Sequence, residues 1–302
     1  LTGLIINARS HQNKAGKTSS IPSHGVLSAA PENTDALDQS LAEFARNDVK
    51  LLVIDGGDGT VREVITRAPQ HFAGRFLRYA ILPAGKTNVL ATDLGVPKRW
   101  TLDDALKAAT MGGERQRTPI EILRPGSDAP ELRGFLWGAA AFSRATQLAQ
   151  DEHKKGLFGN LAIVTTAMGT FWQTLFGSND NSWRAGENIA VQYDDQARQT
   201  QALYLLMATG LKQMPMGVRP FGLPRNGMKT LAVTAPPKNL ALALPFILNG
   251  AEARWLERAG YMHRTPKMLQ LNLSGDFILD GERYPGGDLT LRPGAALRFV
   301  VP

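Results

Sequence analysis

The 302-residue chain contains no cysteine. That excludes disulfides, thiolate metal sites and cysteine nucleophiles, and it fits a reducing cytoplasm. Aromatic residues amount to only 7%. They do not interleave with the basic residues as they would along a nucleic-acid-binding stripe, and no nucleic-acid motif is present, so no nucleic-acid partner is expected. The chain starts in Leu4-Ile5-Ile6 without a charged region ahead of an apolar block, so no signal peptide is expected. Long uncharged runs are scarce. The longest, residues 156–179, approaches the length of a membrane span, but Asn160, Thr165, Thr166, Thr170, Gln173, Thr174 and internal glycines interrupt it. It reads as a buried or partly exposed apolar helix.

What is present describes a globular protein: 43% hydrophobic and 20% charged residues, in a chain long enough for two domains. The formal net charge is +7. Basic groups gather at Arg62/Arg67/Arg75/Arg78, at Lys212/Arg219/Arg225/Lys229 and at Arg254/Arg258/Arg264/Lys267. Such a balance favours phosphate-bearing ligands or an anionic membrane surface.

The most informative stretch is Asp55-Gly56-Gly57-Asp58-Gly59-Thr60, between the apolar run Leu51-Leu52-Val53-Ile54 and the helical pattern that begins at Val61. Glycines let the backbone pass close to a bulky anion, because no Cβ stands in the way. The unpaired N–H groups of such a turn and of the helix after it form an anion-binding concavity. Asp58 would repel a phosphate unless a magnesium ion lies between them, or unless it acts on a substrate hydroxyl. The alternative is a tight strand-to-helix turn with a solvated aspartate.

A second loop, Pro83-Ala84-Gly85-Lys86-Thr87-Asn88, follows the strand-like residues 79–82. It too lies beyond the carboxyl end of a strand, where open α/β sheets bind ligands. Residues 80–87 fit a relaxed P-loop pattern, but 80–82 belong to the strand and the hydrophobic-Asp strand comes too early in the chain, so a P-loop is rejected. Gly16-Lys17-Thr18 is rejected as well, because His11 stands where a glycine or alanine is required. The third constellation, Phe277-Ile278-Leu279-Asp280-Gly281-Glu282, ends a strand in two carboxylates one glycine apart. One can take a proton from a hydroxyl while the other holds a metal or nucleotide. A type I′ or II′ hairpin turn is the competing reading, and for this motif alone the better one.

Up to about residue 114, strand and helix signals alternate, with helices expected over about 35–46, capped by Asn33 or Thr34, and from Thr101 to Met111. That implies a parallel sheet covered by helices. Residues 115–302 carry strand after strand, at about 119–123, 188–193, 203–207, 230–234, 268–273, 277–279 and 297–301, with a helix at 240–248. The fold expected is an α/β domain (1–114) followed by a mainly antiparallel one (115–302), with a last strand that returns to the first.

In order and spacing the three motifs resemble the diacylglycerol kinase catalytic-domain family, in particular its bacterial soluble lipid-kinase branch, which is related to sphingosine kinases. The resemblance implies a nucleotide-binding domain like that of NAD kinases and phosphofructokinases, then a β-sandwich. It implies transfer of the ATP γ-phosphate, with Mg²⁺, to a hydroxyl of a diacylglycerol-like lipid. A sphingoid base or a soluble hydroxyl compound is the alternative acceptor, and a non-catalytic nucleotide- or lipid-binding protein the alternative function. On this likeness Gly56, Gly57, Asp58, Gly59 and Thr60 form the phosphate loop, and Gly85, Lys86, Thr87 and Asn88 line the nucleotide site together with Asn7. Asp280 is the candidate general base, with Asp58 its rival, and Asp58 and Glu282 are candidate magnesium ligands. A cytoplasmic protein in transient peripheral contact with the inner membrane face is implied; a homodimer is left open.

Four stretches depart from the family pattern. Asn7-Ala8-Arg9-Ser10-His11 stands for Asn-Pro-x-Ser-Gly. Lys86 and Val89 replace a threonine and an aspartate. Asn226-Gly227-Met228 replaces an Asp-Gly pair, and Ser143-Arg144 lies where an acidic residue is expected. The last two bear on any structural metal in the second domain and on any grip on a sphingoid amine.

Overall fold

A computed structural model describes residues 1–10, 25–154, 184–223 and 225–302. The expectation for 156–179, His11 and the Gly16-Lys17-Thr18 tripeptide lie outside the described residues. The chain forms two compact units, Leu1–Arg117 with Ala295–Pro302, and Thr118–Gly294.

The first unit holds a six-stranded sheet in the order β2 (Val26–Ala29), β1 (Thr2–Ile6), β3 (Leu51–Gly56), β4 (Arg78–Pro83), β17 (Leu297–Val300), β5 (Glu114–Arg117). All neighbours are parallel except the last pair. Parallel strands are covered on both faces and need continuous apolar sequence. Leu51 to Ile54 and Ala80 to Leu82 supply it and are buried throughout. Asn33 caps α1 (Thr34–Arg46) by accepting the Ala36 N–H, and Leu37, Leu41 and Phe44 turn inward. Helix α2 (Asp58–His71) follows the glycine loop, and α3 (Val89–Asp93) follows the second loop. Helix α4 (Leu102–Met111) begins with the Thr101/Asp104 capping box and stops at left-handed Gly112. From β1 the chain moves to one side, then crosses to β3 on the other. The carboxyl ends of β1 and β3 therefore flank the switch point at which ligands of such sheets bind.

The second unit is one antiparallel sheet of eleven strands. These are β6 (Ile120–Leu123), β7 (Leu132–Gly134), β8 (Leu136–Ala140), β9 (Glu187–Tyr193), β10 (Gln199–Thr209), β11 (Lys229–Thr234), β12 (Tyr261–Arg264), β13 (Leu269–Leu273), β14 (Phe277–Leu279), β15 (Glu282–Tyr284) and β16 (Gly287–Pro293). Strand β10 organises it. Gln199 to Leu203 pair with β9, Leu205 to Thr209 pair with β8, and β11 runs along the opposite edge. Two strands thus share one edge of β10 in succession, and the sheet divides there. Inward side chains from β6, β9, β13 and β16 join those of β8, β11 and β14 in one core around Trp137, Leu206, Leu271 and Phe277. Among the described residues the unit also holds helices α5 (Ala141–Lys154), α6 (Leu240–Leu248) and α7 (Arg254–Arg258). The sequence pattern did not mark α5, α7, β7, β8, β12, β15 or β16. Strand β8, Leu-Trp-Gly-Ala-Ala, is rich in small residues with weak strand preference.

Candidate functional site

The first loop leaves β3 at Gly56, and Gly57 becomes the N-cap of α2 in an extended conformation and, being glycine, offers no side chain to cap the helix. The first N–H groups of any helix lack intrahelical acceptors. Those of α2 therefore face outward together with the positive end of the helix dipole. At the end of β1, Asn7 donates through Nδ2 to Thr60 Oγ1 at 2.8 Å, while its Oδ1 accepts the Arg9 N–H at 2.9 Å. Its backbone N–H donates to Asp55 O at 2.9 Å. Gly56 makes room for this arrangement: a Cβ there would stand 2.5 Å from Thr60 Oγ1.

The second loop lies against the first. Ala84 N–H donates to Gly56 O at 3.1 Å. A Cβ on Gly85 would fall 2.6 Å from Gly57 Cα, and one on Gly57 would fall 3.0 Å from Gly85 Cα. The two glycines bring backbone against backbone. Asn88, left-handed at φ 48°, closes its own loop by accepting the Gly85 N–H at 2.9 Å and donating to Gly85 O at 2.7 Å. Lys86 and Thr87 project into solvent.

Asp58 joins the loops. Its Oδ2 accepts the Val89 N–H at 3.0 Å and its Oδ1 the Leu90 N–H at 3.2 Å. These are orphan donors of α3, so the N-terminus of α3 is filled from within; at α2 the N-cap Gly57 offers no side chain, and the Asp58 N–H meets its own carboxylate. The residue is half-buried, but its carboxylate lies against α3. Burial pushes its pKa up. The Val89 and Leu90 N–H groups and Arg62 oppose that rise.

Asp58→Ala strips the acceptor from two backbone donors, and each buried unpaired group costs about 1–3 kcal/mol. Urea melts should show that loss; an unchanged midpoint would deny Asp58 this role. The pH dependence has a defined sign. A raised native pKa means the folded state holds the proton longer than the unfolded chain, so this group's contribution declines as pH rises above the ordinary value of 3.8. Asp58→Asn should therefore cost more near pH 4 than at neutrality. A gap that widens with pH would contradict this.

In the second unit, Asp280 and Gly281 are the two central residues of the hairpin between β14 and β15, with φ 47° and 84°. Positive φ at both positions is the pattern of a type I′ turn, which Asp-Gly favours. The turn aims the Asp280 carboxylate at β8. Oδ1 accepts the Phe135 N–H at 3.0 Å and the Leu136 N–H at 2.8 Å. Oδ2 lies 3.1 Å from the same Phe135 nitrogen. Gly134 permits the approach, since a Cβ there would sit 2.5 Å from Asp280 Oδ2. Glu282, paired across the hairpin with Leu279, is exposed.

The structure thus brings Asn7, Gly56, Gly57, Asp58, Gly59 and Thr60 together with Gly85, Lys86, Thr87 and Asn88 at the carboxyl ends of β1, β3 and β4. Asp280 and Glu282 stand at one hairpin of the other unit. Sequence reading missed Phe135 and Leu136, whose backbone N–H groups hold Asp280, and backbone donors leave no side-chain signature. It also missed Val89 and Leu90 as partners of Asp58. A carboxylate inside an otherwise anion-binding loop was the available signal that Asp58 answers to other donors.

Residues 3–122 match the diacylglycerol kinase catalytic domain. A protein of Xanthomonas oryzae pv. oryzae (strain MAFF 311018) named "Probable lipid kinase YegS-like" is 28% identical over 265 residues, covering 81% of this chain and 78% of that protein. A "Probable lipid kinase YegS" of Salmonella arizonae is 40% identical over 70 residues, 23% of each chain. Among solved structures, a diacylglycerol kinase from Bacillus anthracis str. Sterne superposes with a TM-score of 0.63 at 14% identity, covering 100% of this chain and 96% of that one. At that identity the likeness concerns the fold.

Proposed function

We propose that this chain, a member of the diacylglycerol kinase catalytic-domain family, is an ATP-dependent kinase of a diacylglycerol-like lipid. The observation that carries the reading is the start of α2 behind a side-chain-free N-cap, with Gly57 pressed against Gly85 and the Asp58 carboxylate held by the N–H groups of α3. A nucleotide's phosphates fit such a cradle of backbone donors. In this reading the N–H groups of residues 57–60 bind the phosphate tail, and Asn7 orients Thr60. Lys86, on the exposed side of the second loop, adds a positive charge. Asn88 shapes that loop through the bonds of its amide to Gly85 and keeps a second Nδ2 hydrogen to offer the ligand.

Asp280 takes the proton from the lipid hydroxyl as that oxygen bonds to the γ-phosphorus and the bond to the departing ADP oxygen breaks. The two backbone donors fix the direction of its carboxylate, and such a general base contributes roughly 10²–10⁴-fold. Magnesium, when bound with ATP, neutralises charge on the phosphates. It asks the protein for one or two carboxylates. Asp58 keeps about two of its four acceptor sites beyond the α3 bonds, and Glu282 is exposed, so both residues have capacity for it.

Purified protein with Mg²⁺ and labelled ATP should transfer label to a component of a mixed lipid extract, identified by mass spectrometry. Label in water-soluble hydroxyl compounds alone would move the acceptor to that class, and no transfer at all would remove the kinase reading. Lys86→Ala should raise the KM for ATP about tenfold, the scale of one charge-assisted contact, with stability unchanged. An unaltered KM would take Lys86 out of the nucleotide site.

A further inference from the structure

Helix α6, Leu-Ala-Leu-Ala-Leu-Pro-Phe-Ile-Leu, has no polar side chain. It buries Leu240, Ala243 and Ile247 and turns Ala241, Leu242, Pro245 and Phe246 outward, with Leu242 59% and Phe246 43% exposed. Trp255, at the start of α7, meets Phe246 edge-on at 5.3 Å and widens the apolar face. Leu223, 56% exposed, lies beside the helix end, where its N–H donates to Glu252. Single exposed leucines are ordinary, but a contiguous apolar patch of this kind marks an interaction surface.

The charge around it identifies the partner. Residues 211–267 carry nine Lys/Arg against two Asp/Glu, a net +7, which is the net charge of the entire chain. The remainder balances, 25 against 25. Arg225 is paired with Glu252, and Lys229 is buried. Arg219, Lys238, Arg254 and Arg258 are exposed and form no ion pair among the described residues. They surround the patch: Arg219 N–H donates to Leu248 O at 2.7 Å at the end of α6. Lys238 immediately precedes the N-cap residue Asn239. Arg254 and Arg258 share one face of α7 beside Trp255. An apolar face rimmed by unpaired cations, with an indole at its edge, matches the acyl-headgroup boundary of an anionic bilayer.

We propose that the outer face of α6, with Trp255, Leu223 and this basic rim, is a docking surface for anionic lipid bilayers. The inference deepens the lipid-kinase reading, which requires a meeting with the acceptor at a bilayer. Docking needs neither ATP nor turnover, so the two fail separately.

The absence of cysteine offers a clean probe. Leu242→Cys is labelled with an environment-sensitive fluorophore. On vesicles of phosphatidylglycerol and phosphatidylethanolamine, the label at position 242 should shift to the blue. It should not respond to pure phosphatidylcholine vesicles. In flotation of the unlabelled full chain, Leu242→Glu should lower vesicle partitioning roughly tenfold or more, and Arg254→Gln with Arg258→Gln about fivefold each. Wild-type urea midpoints for all variants keep the comparison valid. Three outcomes would overturn the proposal: no shift at 242 on vesicles that bind the wild type, a shift that follows protein concentration without lipid, or a label already in apolar surroundings in the free protein. The second identifies another copy of the chain as the occupant, and the third another segment of the same chain.

Discussion

Asp280→Asn should lower kcat by roughly 10²–10⁴-fold, the contribution of a positioned general base, and leave the fold in place. The hairpin geometry makes the substitution a sharp probe. Oδ1 alone accepts both the Phe135 and Leu136 N–H groups, and Oδ2 adds only a second contact to Phe135. An asparagine keeps Oδ1, and asparagine also tolerates the left-handed backbone that residue 280 adopts at φ 47°. The structural cost should therefore stay near that of one neutral hydrogen bond, about 1 kcal/mol. What disappears is the capacity to hold a proton. Steady-state kinetics should show kcat falling with the KM for ATP little changed, since the base acts on the acceptor. A stable variant with wild-type kcat would reduce Asp280 to a turn residue. A variant that loses activity only because it unfolds would show it in the urea midpoint, and would count for the turn role alone.

The second large effect is expected at Gly85. A methyl group there would stand 2.6 Å from Gly57 Cα and 2.9 Å from Asn88 Oδ1. The first of these atoms is backbone and has no rotamer to yield, so the loops must part. Restoring ordinary contact requires a displacement approaching 1 Å. Misplacements of that size cost about 10²-fold in transition-state stabilisation. Gly85→Ala should accordingly lower kcat/KM for ATP about 10²-fold, with a stability loss of about 1–3 kcal/mol typical of overpacking. Gly85→Val should be worse on both counts. Full ATP affinity and activity in a folded Gly85→Ala protein would show that the backbone contact does not position the nucleotide.

Much of this was legible in the sequence, for identifiable reasons. Leu51-Leu52-Val53-Ile54 is too apolar for a half-exposed strand, and the Gly-Gly-Asp-Gly that follows leaves few conformations other than a strand–turn–helix. The Thr101/Asp104 pair announced the start of α4 through local bonds alone. The Asp280-Gly281 hairpin was equally local. What was hidden depends on partners far apart in the chain. That the two carboxylate oxygens of Asp58 meet residues 89 and 90, or that Asp280 meets residues 135 and 136, follows only from the folded arrangement of backbone donors. Strand β17 has an ordinary apolar alternation, and nothing in it specifies a position between β4 and β5. The division of the second sheet along β10 is likewise a matter of which strands share an edge, not of any residue's preference. The exposed face of α6 was hidden for the opposite reason. A wholly apolar helix announces burial, and the sequence does not say which face of it stays outside.

Nucleotide binding in this protein rests on the backbone donors at the start of α2, proposed to hold the phosphates. The most direct test is an ATP–Mg²⁺ titration of the amide-labelled full chain followed by NMR. The account predicts that the amide signals of Gly57, Asp58, Gly59 and Thr60, with those of Gly85 to Thr87, move together with one saturation curve. Saturable binding that leaves those amides still and moves others would contradict it.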